Sequence, residues 1–152
     1  MTKRRNEGGV AVGLEPVAGS DEKLRDALAA ERLPVDDLAE GGRTFFRVRE
    51  GAETLGFGGY AVYGESALIR SLVVLPEARK RGIGTAVAEQ IFDHARKEGA
   101  RRAYLLTESA GGFFAQLGFR PLPRDQAPAE ILATRQAADL CPASAVLLVR
   151  DL

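Results

Sequence analysis

Residues 72–99 read LVVLPEARKRGIGTAVAEQIFDHARKEG, and their reading decides the fold. Branched apolar residues run up to Pro76 and stop there, as a strand does. Arg79, Lys80 and Arg81 follow, set against Gly82 and Gly84. From Ile83 the period changes. Ile83, Val87, Ile91 and Ala95 recur every four residues and line one face of a helix over 83–98. Gly99 closes that helix, with Arg96 and Lys97 in the last turn where cations suit the dipole. A strand therefore hands over to a helix through a basic, glycine-bearing turn. The first N–H groups of a helix have no partner inside it, and no Ser, Thr, Asp or Asn stands at 79–82 to cap them. Glycines let a ligand approach the main chain, and arginines add charged donors, so the corner suits an anion such as a phosphate. A Walker loop is absent, and Val87 stands where a dinucleotide fingerprint needs its third small residue. On the glycines alone, a plain strand-to-helix turn with a solvated basic face explains the stretch equally well.

Outward from this turn the chain alternates strands and helices. Residues 10–17 read as a strand, 20–31 as a helix capped by Ser20, and 33–40 as a short helix or turn. Residues 44–50, 54–64 and 66–74 read as three strands joined by short turns at Gly51-Ala52 and Gly64-Glu65, hence antiparallel. Residues 101–107 form a strand whose helical crossover from 66–74 makes the two parallel. A short helix ends at Gly118, FRPL (119–122) is a strand, 128–140 a helix and 144–151 a last strand. This order, βα(α)βββαβαβαβ, defines an α+β fold with a mixed sheet.

The 152 residues, 45% apolar and 28% charged, suit one domain over 10–152 behind a loose basic tail at 1–9. Formal net charge is zero, which favours no nucleic-acid partner. No apolar run approaches the roughly 20 residues of a membrane helix, and MTKRRNEGG lacks the apolar core of a signal peptide. A cytoplasmic protein without a membrane partner is expected. A single cysteine, Cys141, excludes an intrachain disulfide, and with a single histidine, His94, it gives no zinc constellation, so no metal is expected. His94 reads as a partly exposed helix residue. Cys141 reads as a small buried residue before Pro142 rather than a soft metal ligand.

The stretch SLVVLPEARKRGIGTAVAEQIFDHARKEG resembles motif A of the GCN5-related N-acetyltransferases (GNAT). Arg79-x-x-Gly82-x-Gly84 matches their pyrophosphate loop, Leu72, Val74 and Pro76 match its approach, and FFAQLGFRPL (113–122) is similar to the segment after their fifth strand. The resemblance implies a mostly antiparallel central sheet flanked by helices, with the fourth and fifth strands splayed. It implies acetyl-CoA as cosubstrate. Main-chain groups of Val73 and Val74 would pair with the pantetheine arm, and amides of Arg81, Gly82, Gly84 and Thr85 would hold the pyrophosphate, with Arg79 contributing. A main-chain N–H near Val73 would polarise the thioester carbonyl. A small-molecule amine would attack directly, with no cysteine nucleophile.

Two departures from the family stand out. Phe114 occupies the position where relatives often carry a tyrosine acid, and Leu68 lies about where some carry a carboxylate base. Strand alternation puts Leu68, Arg70 and Leu72 on one face. If that face lines the cleft, Arg70 reads a carboxylate on the acceptor; otherwise it pairs with Glu65 or Glu108 at the surface. Glu108 serves as a base through water, or is an exposed strand-end acid. Tyr60 and Tyr63 are cleft candidates or packing residues. Asp36 or Asp37 holds the acceptor ammonium, or caps a helix.

Within the superfamily, LIRSLVVLPEARKRGIG, the Phe113-Phe114 pair and LCPASAVLLVRDL resemble an arsenic-resistance branch whose members acetylate glutamate analogues bearing arsenic or phosphorus. The same tail is similar to short N-acetylglutamate synthases. A non-catalytic acetyl-CoA sensor and a purely structural domain are the alternatives. A homodimer is left open, since the last strand offers an edge for pairing between subunits.

Overall fold

The computed structural model describes residues 4–5, 11–33, 35, 38, 43–80, 83–107, 111–134 and 145–152. Its strands are β1 (Arg4–Arg5), β2 (Ala11–Val17), β3 (Thr44–Glu50), β4 (Glu53–Tyr63), β5 (Ser66–Val74), β6 (Arg102–Thr107), β7 (Arg120–Pro121) and β8 (Val146–Asp151). Its helices are α1 (Glu22–Ala30), α2 (Pro76–Lys80), α3 (Gly84–Lys97), α4 (Gly111–Gln116) and α5 (Ala129–Leu132). Because β1 comes first, the expected fourth and fifth strands are β5 and β6.

The strands form a single sheet in the order β1-β2-β3-β4-β5-β6-β8-β7. Every described neighbour pair is antiparallel except β5 and β6, which are parallel, as the α3 crossover requires. Gly64 takes φ +63 in the β4–β5 turn, a conformation that leaves glycine unstrained. α3 lies on one face of the sheet. Its stripe Val87, Ile91 and Ala95 is fully buried and Ile83 nearly so, packed with Phe46, Val48, Leu55, Ile69, Leu105 and Leu148. The opposite face carries two smaller clusters. Leu24 and Leu28 of α1 cover Phe45, Phe57 and Val73, while Ile131 of α5 covers Leu68, Tyr104, Leu147 and Val149.

Several expectations are corrected. α1 is capped by Asp21, not Ser20: the helix starts at Glu22, and the Asp21 carboxylate accepts from the Leu24 N–H at 3.0 Å. A helical turn, α2, opens the stretch read as a turn between β5 and the next helix, with Pro76 at its first position, where a missing N–H costs nothing. Of the helix expected over 128–140, α5 spans four residues, and 135–144 lie outside the described residues. Arg4 and Arg5, expected in a tail, pair with Val12 and Ala11. β8 is no free edge: β6 pairs along its length, and β7 covers Leu148 and Val149 on the other side.

Candidate active site

The site begins where β5 and β6 part. They pair at Ser66–Arg102, Ala67–Ala103 and Leu68–Tyr104, and no pairing joins them beyond. β5 stays on β4 as far as Val74, and β6 stays on β8 as far as Thr107. The two halves of the sheet therefore open into a V toward the C-terminal ends of both strands.

Next to this opening β5 carries an extra residue. Gly59 pairs with Arg70 and Phe57 with Val73, so two steps on β4 span three on β5. Ser71 absorbs the excess with φ +58. The bulge corrects the expected alternation. Leu72 moves to the α3 face with Val74, while Arg70 and Val73 share the α1 face. It also sets the main chain. The Leu75 N–H donates to the Leu55 carbonyl at 2.9 Å, and Val73, two residues back, faces Phe57 in the same ladder. Peptide groups alternate along a strand, so those of Leu72 and Val74 point into the V while those of Val73 point to β4. By this register the main-chain groups of Val73, expected at the pantetheine arm and near the thioester, do not lie on the open side, whereas those of Val74 do.

Arg70 is the first α1-face residue past the last β5–β6 pair. It is 4% exposed, its guanidinium lies 5.7 Å from the Phe45 ring centre, and its Nε is 3.3 Å from Ser71 Oγ. A surface pair with Glu65 is not what the fold forms: Glu65 faces Arg101 at 3.4 Å. A buried guanidinium is a forked donor suited to carboxylates, and Arg70 holds a further partner in the folded chain besides Ser71 and Phe45.

α3 opens at the mouth of the V. Ile83 stands at its N-cap position and gives the first-turn donors no side-chain cap bond. A Cβ built on Gly84 would lie 3.3 Å from the Phe113 ring and 3.7 Å from Val74 Cγ2. The end of β5, the start of α3 and α4 thus meet at one corner. Thr85 is exposed there. Arg79, on α2, is half-exposed and 3.4 Å from Glu31, just past α1. Arg81, Gly82, Asp36, Asp37, Glu108 and Cys141 lie outside the described residues.

Tyr60 does not line the V. It is 1% exposed on the α3 face, with its hydroxyl 2.6 Å from His94 Nδ1 and 2.5 Å from Glu98 Oε2. Burial first, then the Glu98 carboxylate, hold its phenol well above the ordinary tyrosine range. Tyr63 packs against the Leu68–Tyr104 cluster. Phe114 stacks edge-on with Phe113 and Phe119, at 5.2 and 5.8 Å between ring centres, and carries no proton to give.

An open groove of about 890 Å³ lies at the other end of the sheet, lined by Glu65, Arg96, Arg101, Arg102, Tyr104 and Asp151 among others. Several of its charges pair within the protein, Arg101 with Glu65 and Arg102 with Asp151, and it is remote from the α3 start. The split between β5 and β6 is the better site on chemical grounds. Among the described residues no group of His, Cys, Asp and Glu side chains could hold a metal ion, and no helix is long and apolar enough to cross a membrane.

A mixed sheet opened between two parallel strands, with the start of a helix at the opening, is the arrangement that the resemblance to the N-acetyltransferases implies. Residues 15–119 match the Acetyltransferase (GNAT) family. An uncharacterised N-acetyltransferase of Chlorobaculum tepidum, CT2212, is 32% identical over 119 residues, 75% of this chain and 76% of that one. N-acetylglutamate synthase of Neisseria gonorrhoeae, solved with coenzyme A and N-acetyl-glutamate, superposes with a TM-score of 0.73 at 21% identity. That match takes in 93% of this chain but spans about a third, 35%, of the synthase. Rv2747 of Mycobacterium tuberculosis, solved with CoA and NLQ, superposes with a TM-score of 0.70 at 18% identity over 92% of this chain and 99% of that one. The chain belongs to the GNAT acetyltransferase family and is an acyltransferase.

Proposed function

We propose that the protein is an acetyl-CoA-dependent N-acetyltransferase whose acceptor is a small amine carrying a carboxylate. The observation that carries this reading is the V between β5 and β6, with the uncapped α3 start at its mouth and buried Arg70 just beyond the split. Main-chain groups of Leu72 and Val74 pair with the pantetheine arm as an added strand would. Amides at the α3 start, Gly84 and Thr85 among them, receive the pyrophosphate together with Arg81 and Gly82, and Arg79 leaves Glu31 to join them. The ammonium first loses a proton to solvent or to Glu108; the free amine then attacks the thioester carbonyl, a C–N bond forms, the C–S bond breaks, and the second proton on nitrogen passes through water to the leaving thiolate. Positioning and main-chain donors supply much of the rate.

Arg70 reads the acceptor carboxylate and Asp36 its ammonium. An α-amino acid such as glutamate, or a glutamate analogue bearing arsenic or phosphorus, carries both groups. The solved relatives holding N-acetyl-glutamate or CoA support this class of acceptor and donor. A panel of amino acids, phosphorus and arsenic analogues and simple alkyl amines, assayed by CoA release, tests the reading. Turnover confined to carboxylate-bearing amines is expected. Equal turnover of alkyl amines would remove the carboxylate requirement, and no release with any amine would remove the acceptor class.

A further inference from the structure

Arg150 of β8 lies outside the proposed site yet meets both α3 and the turn that follows α4. Its guanidinium makes a forked contact with Glu89 of α3, Nη1 to Oε2 at 3.0 Å and Nη2 to Oε1 at 3.3 Å. It also stacks over Phe92 of α3, with Cζ 5.1 Å from the ring centre. Its stem runs under Gly118, where a built Cβ would come within 3.7 Å of Cδ. The arginine side chain is 19% exposed, so little water competes for the fork.

The place of this contact in the sheet gives it a role. β8 is paired with β6 over six residues, so Arg150 travels with the β6 half. Three residue pairs join that half to β5. α3 packs chiefly on β4, β2 and β5, the other half, and its far end is tied to β4 through Tyr60. The Arg150–Glu89 fork therefore links the two walls of the V through the helix beneath them. From Phe92 a file of edge-on rings leads back to the mouth: Phe92 to Phe119 at 5.5 Å, Phe119 to Phe114 at 5.8 Å, and Phe114 to Phe113 at 5.2 Å. Phe113 lies over Gly84 at the α3 start, 3.3 Å from where a Cβ there would stand. Well-packed rings transmit displacement because the interior has no slack to absorb it.

We propose that Arg150 is a positioning residue that, through Glu89 and the Phe92–Phe113 ring file, sets the width of the V and so the fit of acetyl-CoA. The proposal rests on acetyl-CoA occupying the V as set out above. It gives Phe114 a mechanical role as the middle strut of the file.

The test is calorimetric titration of the full chain with acetyl-CoA, well below the melting temperature of every variant. Arg150→Met keeps the stem and deletes the fork, and is expected to weaken binding about tenfold, in line with a charge-assisted bond to a charged partner. Arg150→Lys should recover part of the loss, since an ammonium cannot make the fork. Glu89→Gln should weaken binding less, and Arg150→Met with Glu89→Gln together no more than Arg150→Met alone. Val12→Ala, a core truncation in β2 far from the V, controls for lost stability and should bind normally. If Arg150→Met fails to fold, Arg150→Lys and Glu89→Gln carry the comparison. Wild-type binding with equal binding by these variants would overturn the positioning role while leaving the acetyl-CoA site standing. Loss of affinity in Val12→Ala equal to that in Arg150→Met would also overturn it. Wild type that fails to bind would overturn both.

Discussion

Replacing Gly56 by alanine tests the wall of the V at one atom. A Cβ at Gly56 would stand 2.3 Å from the Val73 carbonyl oxygen and 3.2 Å from Val74 Cα. Both obstacles are main chain, so no rotamer change relieves the clash. β5 must move by about 1 Å to restore an ordinary van der Waals separation. Overpacking of this kind costs about 1–3 kcal/mol. For a domain of this size that lowers the melting temperature by roughly 3–10 °C. The displaced strand is the one whose Leu72 and Val74 groups face the opening, and a shift on the order of 1 Å at a reacting centre costs on the order of 100-fold in rate. Gly58→Ala is the matched comparison. There the nearest atoms, at 2.7 and 3.0 Å, belong to the buried Ile91 side chain, so the strain falls on side-chain packing and not on the main chain of β5. Thermal melts and acetyl-CoA titration of both variants are the assay. Gly56→Ala should lose stability and most of its affinity, and Gly58→Ala should keep its affinity. A Gly56→Ala protein as stable and as tight-binding as wild type would refute the β4–β5 register and the placement of the wall.

Arg70→Ala should raise KM for a carboxylate-bearing acceptor at least tenfold, as loss of a charge-assisted bond requires, and leave KM for acetyl-CoA within about twofold; equal effects on both would sink the acceptor assignment. Tyr60 keeps its proton in the folded state above the pH near 10 at which an unfolded tyrosine loses it, so its contribution to stability is complete below about pH 10 and falls as pH rises beyond. Chemical denaturation between pH 8 and 11 should show that decline, and Tyr60→Phe should flatten it; an unchanged slope would contradict the burial of the phenol. Asp21→Ala removes the α1 cap and should cost about 1 kcal/mol in denaturant unfolding, since the carboxylate bonds the Leu24 N–H; no loss would return the cap to Ser20.

Periodicity and turn residues carried most of the fold. The stripe Ile83, Val87, Ile91 and Ala95 named the buried face of α3, and the short turns at Gly51 and Gly64 named the antiparallel ladder, because both patterns follow from local geometry. Pro76 followed by Glu77 was a legible signal for α2, since proline and an acid both suit the first turn of a helix. The Ser71 bulge was not legible. Serine has no preference for φ +58, and the conformation is imposed by pairing β5 against the glycines of β4. That bulge decides which face Leu72 takes and which peptide groups enter the V, so alternation counted from Leu68 fails beyond Arg70. Tyr60 was left between cleft and core for a different reason: an aromatic on a strand reads alike on either face until the helix that covers it is known. The Arg150–Glu89 fork joins residues 61 apart in sequence, and no local pattern reveals it.

The most direct measurement is a crystal structure of the chain with acetyl-CoA. The account predicts the diphosphate on the main-chain amides at the start of α3, the pantetheine amides paired with Leu72 and Val74, and the acetyl group inside the V on the Arg70 side. Acetyl-CoA seated instead in the groove between Arg96, Arg101 and Arg102, or a V closed by continued β5–β6 pairing past Leu68, would contradict it.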